Sequence, residues 1–360
     1  MLIYKNYFKN KKIIITGHTG FKGSWLTFCL HLLGSKILGI SKNYPTNPCH
    51  FRDLNIKKDI KNEICDISNL KQLKKIFKKF KPDYVFHLAA QAIVSKSFKD
   101  PISTFNSNTV GTLNVLESLR EVKKCKAVII TSDKSYKNLE INRGYSEDDI
   151  LGGNDPYSGS KGAAELIINS YFKSFFVDKK NTRIAIARAG NVIGGGDWST
   201  DRIIPDCVRS WYNNKEIIIR SPKSTRPWQH VLDAIRGYLI LAIKLNDKKI
   251  HGEAFNFGPD NRQNKSVLDL VKEIKKNWEG VNWKIKKDTT LTNKESNLLK
   301  LNSNKAKKIL KWYPVLNFEK SVKFTANWYK QYNYSRKANT KILSKENIIA
   351  YNRLLKGTFK

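Results

Sequence analysis

The sequence predicts an α/β protein, a doubly wound parallel sheet with a smaller, discontinuous C-terminal domain, and two observations predict it. Apolar runs of strand length alternate with amphipathic stretches through the first half of the chain, as a parallel sheet with crossover helices requires. The first such run, Ile13–Thr16, leads straight into Gly17-His-Thr-Gly20-Phe-Lys-Gly23 and then into the apolar Trp25, Leu26, Phe28 and Leu30. A four-residue apolar run suits a strand buried on both faces. Glycines at i, i+3 and i+6 let the backbone turn sharply and come close to a pyrophosphate at a helix N-terminus.

Taken in order, the expected strands are Ile13–Thr16, Lys36–Ile40, Tyr84–Leu88, Ala127–Thr131 and Arg183–Ala187. Amphipathic segments lie between them around Phe21–Leu33, Leu70–Phe80, Ser103–Val122 and Pro156–Phe176. After Gly190 the pattern becomes irregular and rich in Gly, Pro and Trp, with one more apolar helix near Val231–Lys244 and a strand-like Ala254–Phe257. We therefore expect the sheet domain to comprise 1–188 and 226–259, the smaller domain 189–225 and 260–335, and a tail to occupy 336–360. Within the tail Ser344 is a candidate N-cap ahead of Ile348, Ile349, Tyr351, Leu354 and Leu355 at helical spacing.

Composition bounds the function. A chain of 360 residues with 40% hydrophobic content can bury a sizeable core. No apolar run approaches the roughly 20 residues that span a bilayer, and no leader pattern opens the chain, so a cytoplasmic location and no membrane partner are expected. The five cysteines, Cys29, Cys49, Cys65, Cys125 and Cys207, show no paired metal-ligand spacing, and we expect them to be reduced, with no metal site. The net charge of +35 would ordinarily suggest nucleic acid. Of the 66 basic residues, however, 53 are Lys, spread along the whole chain and accompanied by abundant Asn and Ile. That pattern is genome composition rather than a binding face, so no nucleic-acid partner is expected, although the field should still attract anionic small molecules.

Two further motifs carry chemistry. In Tyr157-Ser-Gly-Ser-Lys161 residues i and i+4 share one helix face, so the Lys161 ammonium can sit near the Tyr157 phenol and lower its pKa, making a base near neutral pH. Thr131-Ser132-Asp133-Lys134 ends the strand through Val128–Ile130, at the sheet edge where open α/β proteins bind ligands. There Ser132 can hydrogen-bond a substrate hydroxyl, while Asp133 and Lys134 bring an acid and an amine to the same mouth.

These three elements together resemble the extended short-chain dehydrogenase/reductase family, whose sheet is of the Rossmann type, and the resemblance covers nearly the whole chain. It implies a bound NAD held by Gly17, His18, Thr19, Gly20, Phe21 and Gly23, by Asp66 and Ile67, by the loop Leu88, Ala89, Ala90 and Gln91, and by Asn108, Tyr157 and Lys161. It implies a nucleotide-sugar substrate met by Gln91, Ser95, Ser132, Asn191, Arg202, Arg226 and His230. Arg226 is the foremost diphosphate ligand, because a guanidinium grips phosphate oxygens in a bidentate way. Trp198, Trp228 and His230 are either base contacts or core. The Ser-Asp-Lys element points to the 4,6-dehydratases of the family, since simple 4-epimerases lack the acid–base pair and dehydratases of dTDP-glucose or GDP-mannose carry Asp-Glu there.

By that resemblance Tyr157 takes the proton of the sugar C4 hydroxyl with Ser132 orienting it, Lys161 holds the cofactor ribose, Lys134 removes the C5 hydrogen and Asp133 protonates the departing C6 hydroxyl. A lysine base is expected to rely on like charges and desolvation, since an unperturbed lysine is protonated at neutral pH. One departure concerns the cofactor. Ile40 is followed by Ser41 and Lys42 rather than by the acid that usually meets the adenosine ribose of NAD. The pair would tolerate a 2′-phosphate, but internal hydride recycling favours NAD. The resemblance also implies at least a homodimer, and a deoxysugar destined for surface polysaccharide such as the O-antigen of lipopolysaccharide.

Overall fold

A computed structural model describes residues 1–179, 181–219, 221–260, 264–278, 281–285, 298–334 and 340–357. Seven parallel strands form the central sheet: β1 Lys12–Thr16, β2 Lys36–Ser41, β3 Lys61–Ile64, β4 Tyr84–His87, β5 Cys125–Ile130, β6 Thr182–Ala189 and β7 Ala254–Phe257. Their order is β7-β6-β5-β4-β1-β2-β3, with parallel pairing throughout. The order reverses between β1 and β4, so a crevice opens at the carboxyl ends of these two strands.

Alternate residues of each strand feed two cores, as the two-residue period of a strand demands. Ile13, Ile15, Phe86, Val128 and Ala187 face one layer, and Ile14, Val85, Ala127, Ile129 and Ile186 face the other. The first layer carries α1 Phe21–Leu32 and the largely buried Val231–Lys244 helix; the second carries α2 Leu70–Phe80, α3 Gly111–Arg120 and α4 Pro156–Tyr171. Downstream lie α5 Ile203–Tyr212, α6 Val231–Lys244, α7 Val267–Lys275, α8 Phe318–Tyr334 and α9 Thr340–Gly357, with three short two-stranded pairs.

Three departures from the sequence pattern have physical causes. β3 is Lys-Asn-Glu-Ile, largely exposed at the sheet edge, and carries no apolar run to betray it. The amphipathic stretch expected over Ser103–Val122 is broken: a short helix Pro101–Phe105 passes into a π-type turn Asn106–Val110, closed by Gly111 N donating to Asn106 O, before α3 begins. Ser344 is no N-cap. It lies inside α9, where its buried hydroxyl bonds His50 Nε2 at 3.0 Å and accepts from Trp328 Nε1 at 3.2 Å. His50 in turn bonds Ser24 of α1 at 2.7 Å, and the N-terminal amine of Met1 donates to Asn352. The last helix is thereby tied to both the glycine-loop helix and the chain start.

Candidate active site

The glycine loop is shaped by backbone crowding. Gly17 has φ +75°, and a Cβ there would lie 2.6 Å from Ala89 N; a Cβ on Gly23 would lie 2.0 Å from Gly17 O. Only glycine permits both approaches. Gly20 is the N-cap of α1, which has no side-chain cap and no acid in its first turn, so its leading N–H groups and positive dipole end are left for an anion. A dinucleotide pyrophosphate fits that cradle. Around it, Thr16 Oγ1 and His87 Nδ1 lie 2.7 Å apart and bind β1 to β4, and burial pushes the His87 imidazole down to about 3, keeping it neutral.

The remaining cofactor candidates fall into two groups. Asp66 lies beyond β3, accepts from Ser68 N and pairs with Lys42 at 3.5 Å, while Thr19 donates to Asn43 O and His18 bonds Ser41 and Asn62. Leu88, Ala89, Ala90 and Gln91 are half-buried along the crevice. Phe21 is half-buried at the start of α1. Asn108 and Ile67 are buried supports beneath that surface: Asn108 accepts from Gln91 N and donates to Gln91 O, and Ile67 packs on Gly111.

Across the crevice α4 starts at Asp155, whose side chain accepts from Ser158 N, and this sets Tyr157 and Lys161 one turn apart at the carboxyl edge of β5. Ser132 Oγ donates to Asp133 Oδ1 at 3.0 Å and accepts from Lys134 N at 3.2 Å. The Tyr157 phenol departs from expectation. Burial pushes its pKa up; the neighbouring Ser132 hydroxyl and Arg202 oppose this, and Lys161 is not among the causes. Lys161 itself is pushed down to about 8, by burial first and by Lys22 second.

Asp133 is buried, and its Oδ2 has no hydrogen-bond partner. Burial pushes its pKa up, against the pull of Lys134, Ser132, Arg226 and Lys22. A carboxyl held towards its protonated form beside a cluster of cations is suited to give a proton away.

On the substrate side, Arg202 pairs with Asp197 at 3.0 Å, Arg226 is buried on the short strand Thr225–Arg226, Asn191 is half-buried after β6, and Ser95 donates to Asp201 at 2.5 Å. Gln91 spends its amide on Ile93 and Thr104. His230, Trp198 and Trp228 resolve towards the core. His230 is 1% exposed, caps α6 by accepting from Leu232 N and meets the edge of Phe324; Trp198 packs among Tyr212, Tyr329 and Tyr332; Trp228 donates to Lys265 O. All three side chains are buried, and the contacts described for them are with the fold itself.

A family model described as GDP-mannose 4,6 dehydratase matches residues 14–325. The chain belongs to this dehydratase family of extended short-chain dehydrogenases/reductases. It is 39% identical over 357 residues to the CDP-glucose 4,6-dehydratase of Salmonella typhimurium, covering 97% of this chain and 98% of the relative. It is 26% identical to the dTDP-glucose 4,6-dehydratase of Haemophilus influenzae, covering 88% of this chain and 97% of that one. Among solved structures, dTDP-glucose 4,6-dehydratase from Bacillus anthracis in complex with NAD superposes with a TM-score of 0.72 at 22% identity, over 89% of this chain and 97% of that one, a likeness of fold.

Two residues of this dehydratase site escaped the sequence pattern. Lys22, half-buried in the glycine loop, is pushed down to about 8 by burial first, then by Arg202, with Asp133 and Asp197 opposing. A cation between the loop glycines was its only signal. Glu165, two turns beyond Tyr157, forms a buried pair with Arg188 at 2.5 Å, and its signal was the four-residue spacing continued from Tyr157 and Lys161.

Proposed function

We propose that the protein is an NAD-dependent hydro-lyase that converts CDP-glucose to CDP-4-dehydro-6-deoxy-glucose and water. The observation that carries this is the Ser132-Asp133-Lys134 element beside Tyr157 in a chain matched from end to end by a CDP-glucose 4,6-dehydratase. The glycine loop, Asp66 and Lys161 would hold NAD, which would supply the hydride acceptor for C4 and the hydride donor for C6. The chain's own groups move the protons. Tyr157 takes the C4 hydroxyl proton, with Ser132 orienting that hydroxyl and Lys161 placed for the cofactor ribose. The C4 ketone acidifies the C5 hydrogen, which Lys134 removes, while Asp133 protonates the departing C6 hydroxyl. Lys134 returns a proton to C5 as C6 is reduced. In this proposal Arg226, Arg202 and Asn191 hold the diphosphate and sugar at the domain formed by 189–225 and 260–335.

Two placements support NAD over NADP: Lys42 is engaged by Asp66, and the Ser41 hydroxyl by His18. Exposed Phe98, Ile102, Leu166, Phe175 and Val177 lie on the Val94–Lys99 and Pro101–Phe105 helices, on α4 and just after it, and support a homodimer or tetramer closed over that face. Among the described residues no helix is long and apolar enough to cross a membrane. A cytoplasmic location and a role in making deoxysugars for surface polysaccharide accompany the proposal.

The test is turnover of CDP-glucose, followed by the alkali-developed absorbance of the 4-keto-6-deoxy product, against UDP-, dTDP- and GDP-sugars. The expected result is preference for CDP-glucose. Brisk turnover of another nucleotide sugar without CDP-glucose turnover would move the assignment to another 4,6-dehydratase or a 4-epimerase of the family. Chromatography of the released cofactor should yield NAD, and NADP alone would overturn that choice.

A further inference from the structure

Between β6 and α4 lies a polar cluster whose hydrogen bonds go to no position expected to meet substrate or cofactor, although the Glu165 charge also acts on Lys161. The Glu165 and Arg188 side chains are 1% and 4% exposed. Glu165 Oε1 accepts from Thr131 Oγ1 at 2.6 Å and from Arg188 Nε at 2.8 Å, and Oε2 accepts from Arg188 Nη2 at 2.5 Å. Arg188 Nη1 donates to Tyr136 Oη at 2.7 Å and to Glu147 O at 3.1 Å, and its guanidinium lies 4.7 Å over the Tyr136 ring. Tyr136 donates onward to Asn256 Oδ1 of β7 at 2.8 Å.

The two residues gripped from this cluster flank the Ser132-Asp133-Lys134 element: Thr131 immediately before it and Tyr136 two residues after it. Its gripping carboxylate stands on α4, on the face that carries Tyr157 and Lys161. A buried ion pair adds little net stability over apolar residues of the same volume, whereas a guanidinium fork fixes direction.

We infer that Glu165 and Arg188 are positioning residues, a clamp that holds both ends of the Ser132–Lys134 element in register with Tyr157 and Lys161. This rests on the proposed dehydratase chemistry for what each end governs. The Thr131 end sets Ser132, which serves C4 oxidation. The Tyr136 end sets Asp133 and Lys134, which serve water loss. The two ends should therefore fail separately.

Tyr136→Phe removes one hydroxyl and keeps the ring. In quenched single turnovers of the full-length enzyme with CDP-glucose, analysed by mass spectrometry, the 4-keto sugar that still carries its C6 hydroxyl should accumulate, because water loss slows about tenfold while C4 oxidation keeps its rate. Thr131→Val should slow C4 oxidation instead. Independently of any substrate, hydrogen exchange of the amides of 132–137 should quicken about tenfold in Tyr136→Phe, with the Tm little changed. Equal slowing of both steps, or unchanged exchange at 132–137, would overturn the clamp. If the wild-type enzyme does not turn over CDP-glucose, the proposed function fails and the exchange measurement still decides the clamp.

Discussion

Two buried carboxylates at the carboxyl edge of the same sheet are treated in opposite ways. Around Glu165 every side-chain oxygen is met by a donor, from Thr131 and the Arg188 fork. Around Asp133 one oxygen is met by Ser132 and the other by nothing, and burial pushes the carboxyl up. A satisfied buried network rigidifies, whereas an unsatisfied buried acid stores free energy that a reaction can use. In the proposed reaction this difference would separate the part of the site that holds still from the part that reacts.

The comparison can be broken most directly at the reacting end. Asp133→Asn should slow dehydration by about 10³-fold, the scale of a lost general acid, and yet raise the Tm by about 2 °C, because the substitution relieves a buried acid. Loss of both activity and stability would make Asp133 a structural group like Glu165. Lys134→Met should leave C4 oxidation intact and abolish water loss, and full dehydration in that variant would remove Lys134 from its role.

At the holding end, Glu165→Ala leaves Arg188 buried without its counter-charge and should cost about 3–5 kcal/mol in urea unfolding. An unchanged midpoint would deny that the pair is closed to solvent. A finer test uses pH. The folded-state pKa of Asp133 is raised above its ordinary 3.8, so the folded chain holds more protons than the unfolded one and stability falls as pH rises above 3.8 through the raised value. The stability gap between Asp133→Asn and wild type should therefore widen over that interval, and a gap that narrows would contradict the sign. The smallest effect lies far from the site. Ser344→Ala should cost about 1 kcal/mol by removing the hydroxyl shared by His50 and Trp328, measured by thermal unfolding.

Much of the site was legible because its parts are local. The glycine spacing, Tyr157 and Lys161 one turn apart, and Ser132-Asp133-Lys134 at a strand end each express their geometry over a few residues. What was not legible depended on partners distant in sequence. Trp198 and His230 look equally apt for ligand or core until the aromatic rings of α8 close over them. Ser344 looks like a cap until His50, almost 300 residues earlier, proves to be its partner. The Tyr157 pKa follows from burial, which a helical spacing does not report.

By itself the sequence determined the fold class and the order of the chemistry along the chain, because strand burial, helix periodicity and backbone crowding at glycine act between near neighbours. Tertiary structure alone decided which buried polar groups are satisfied. Asp133 sits within one recognisable motif and Glu165 one turn beyond another, and only the packing of β5, β6 and α4 supplies donors to Glu165 and leaves an oxygen of Asp133 bare. Desolvation and hydrogen bonding are set by neighbours in space.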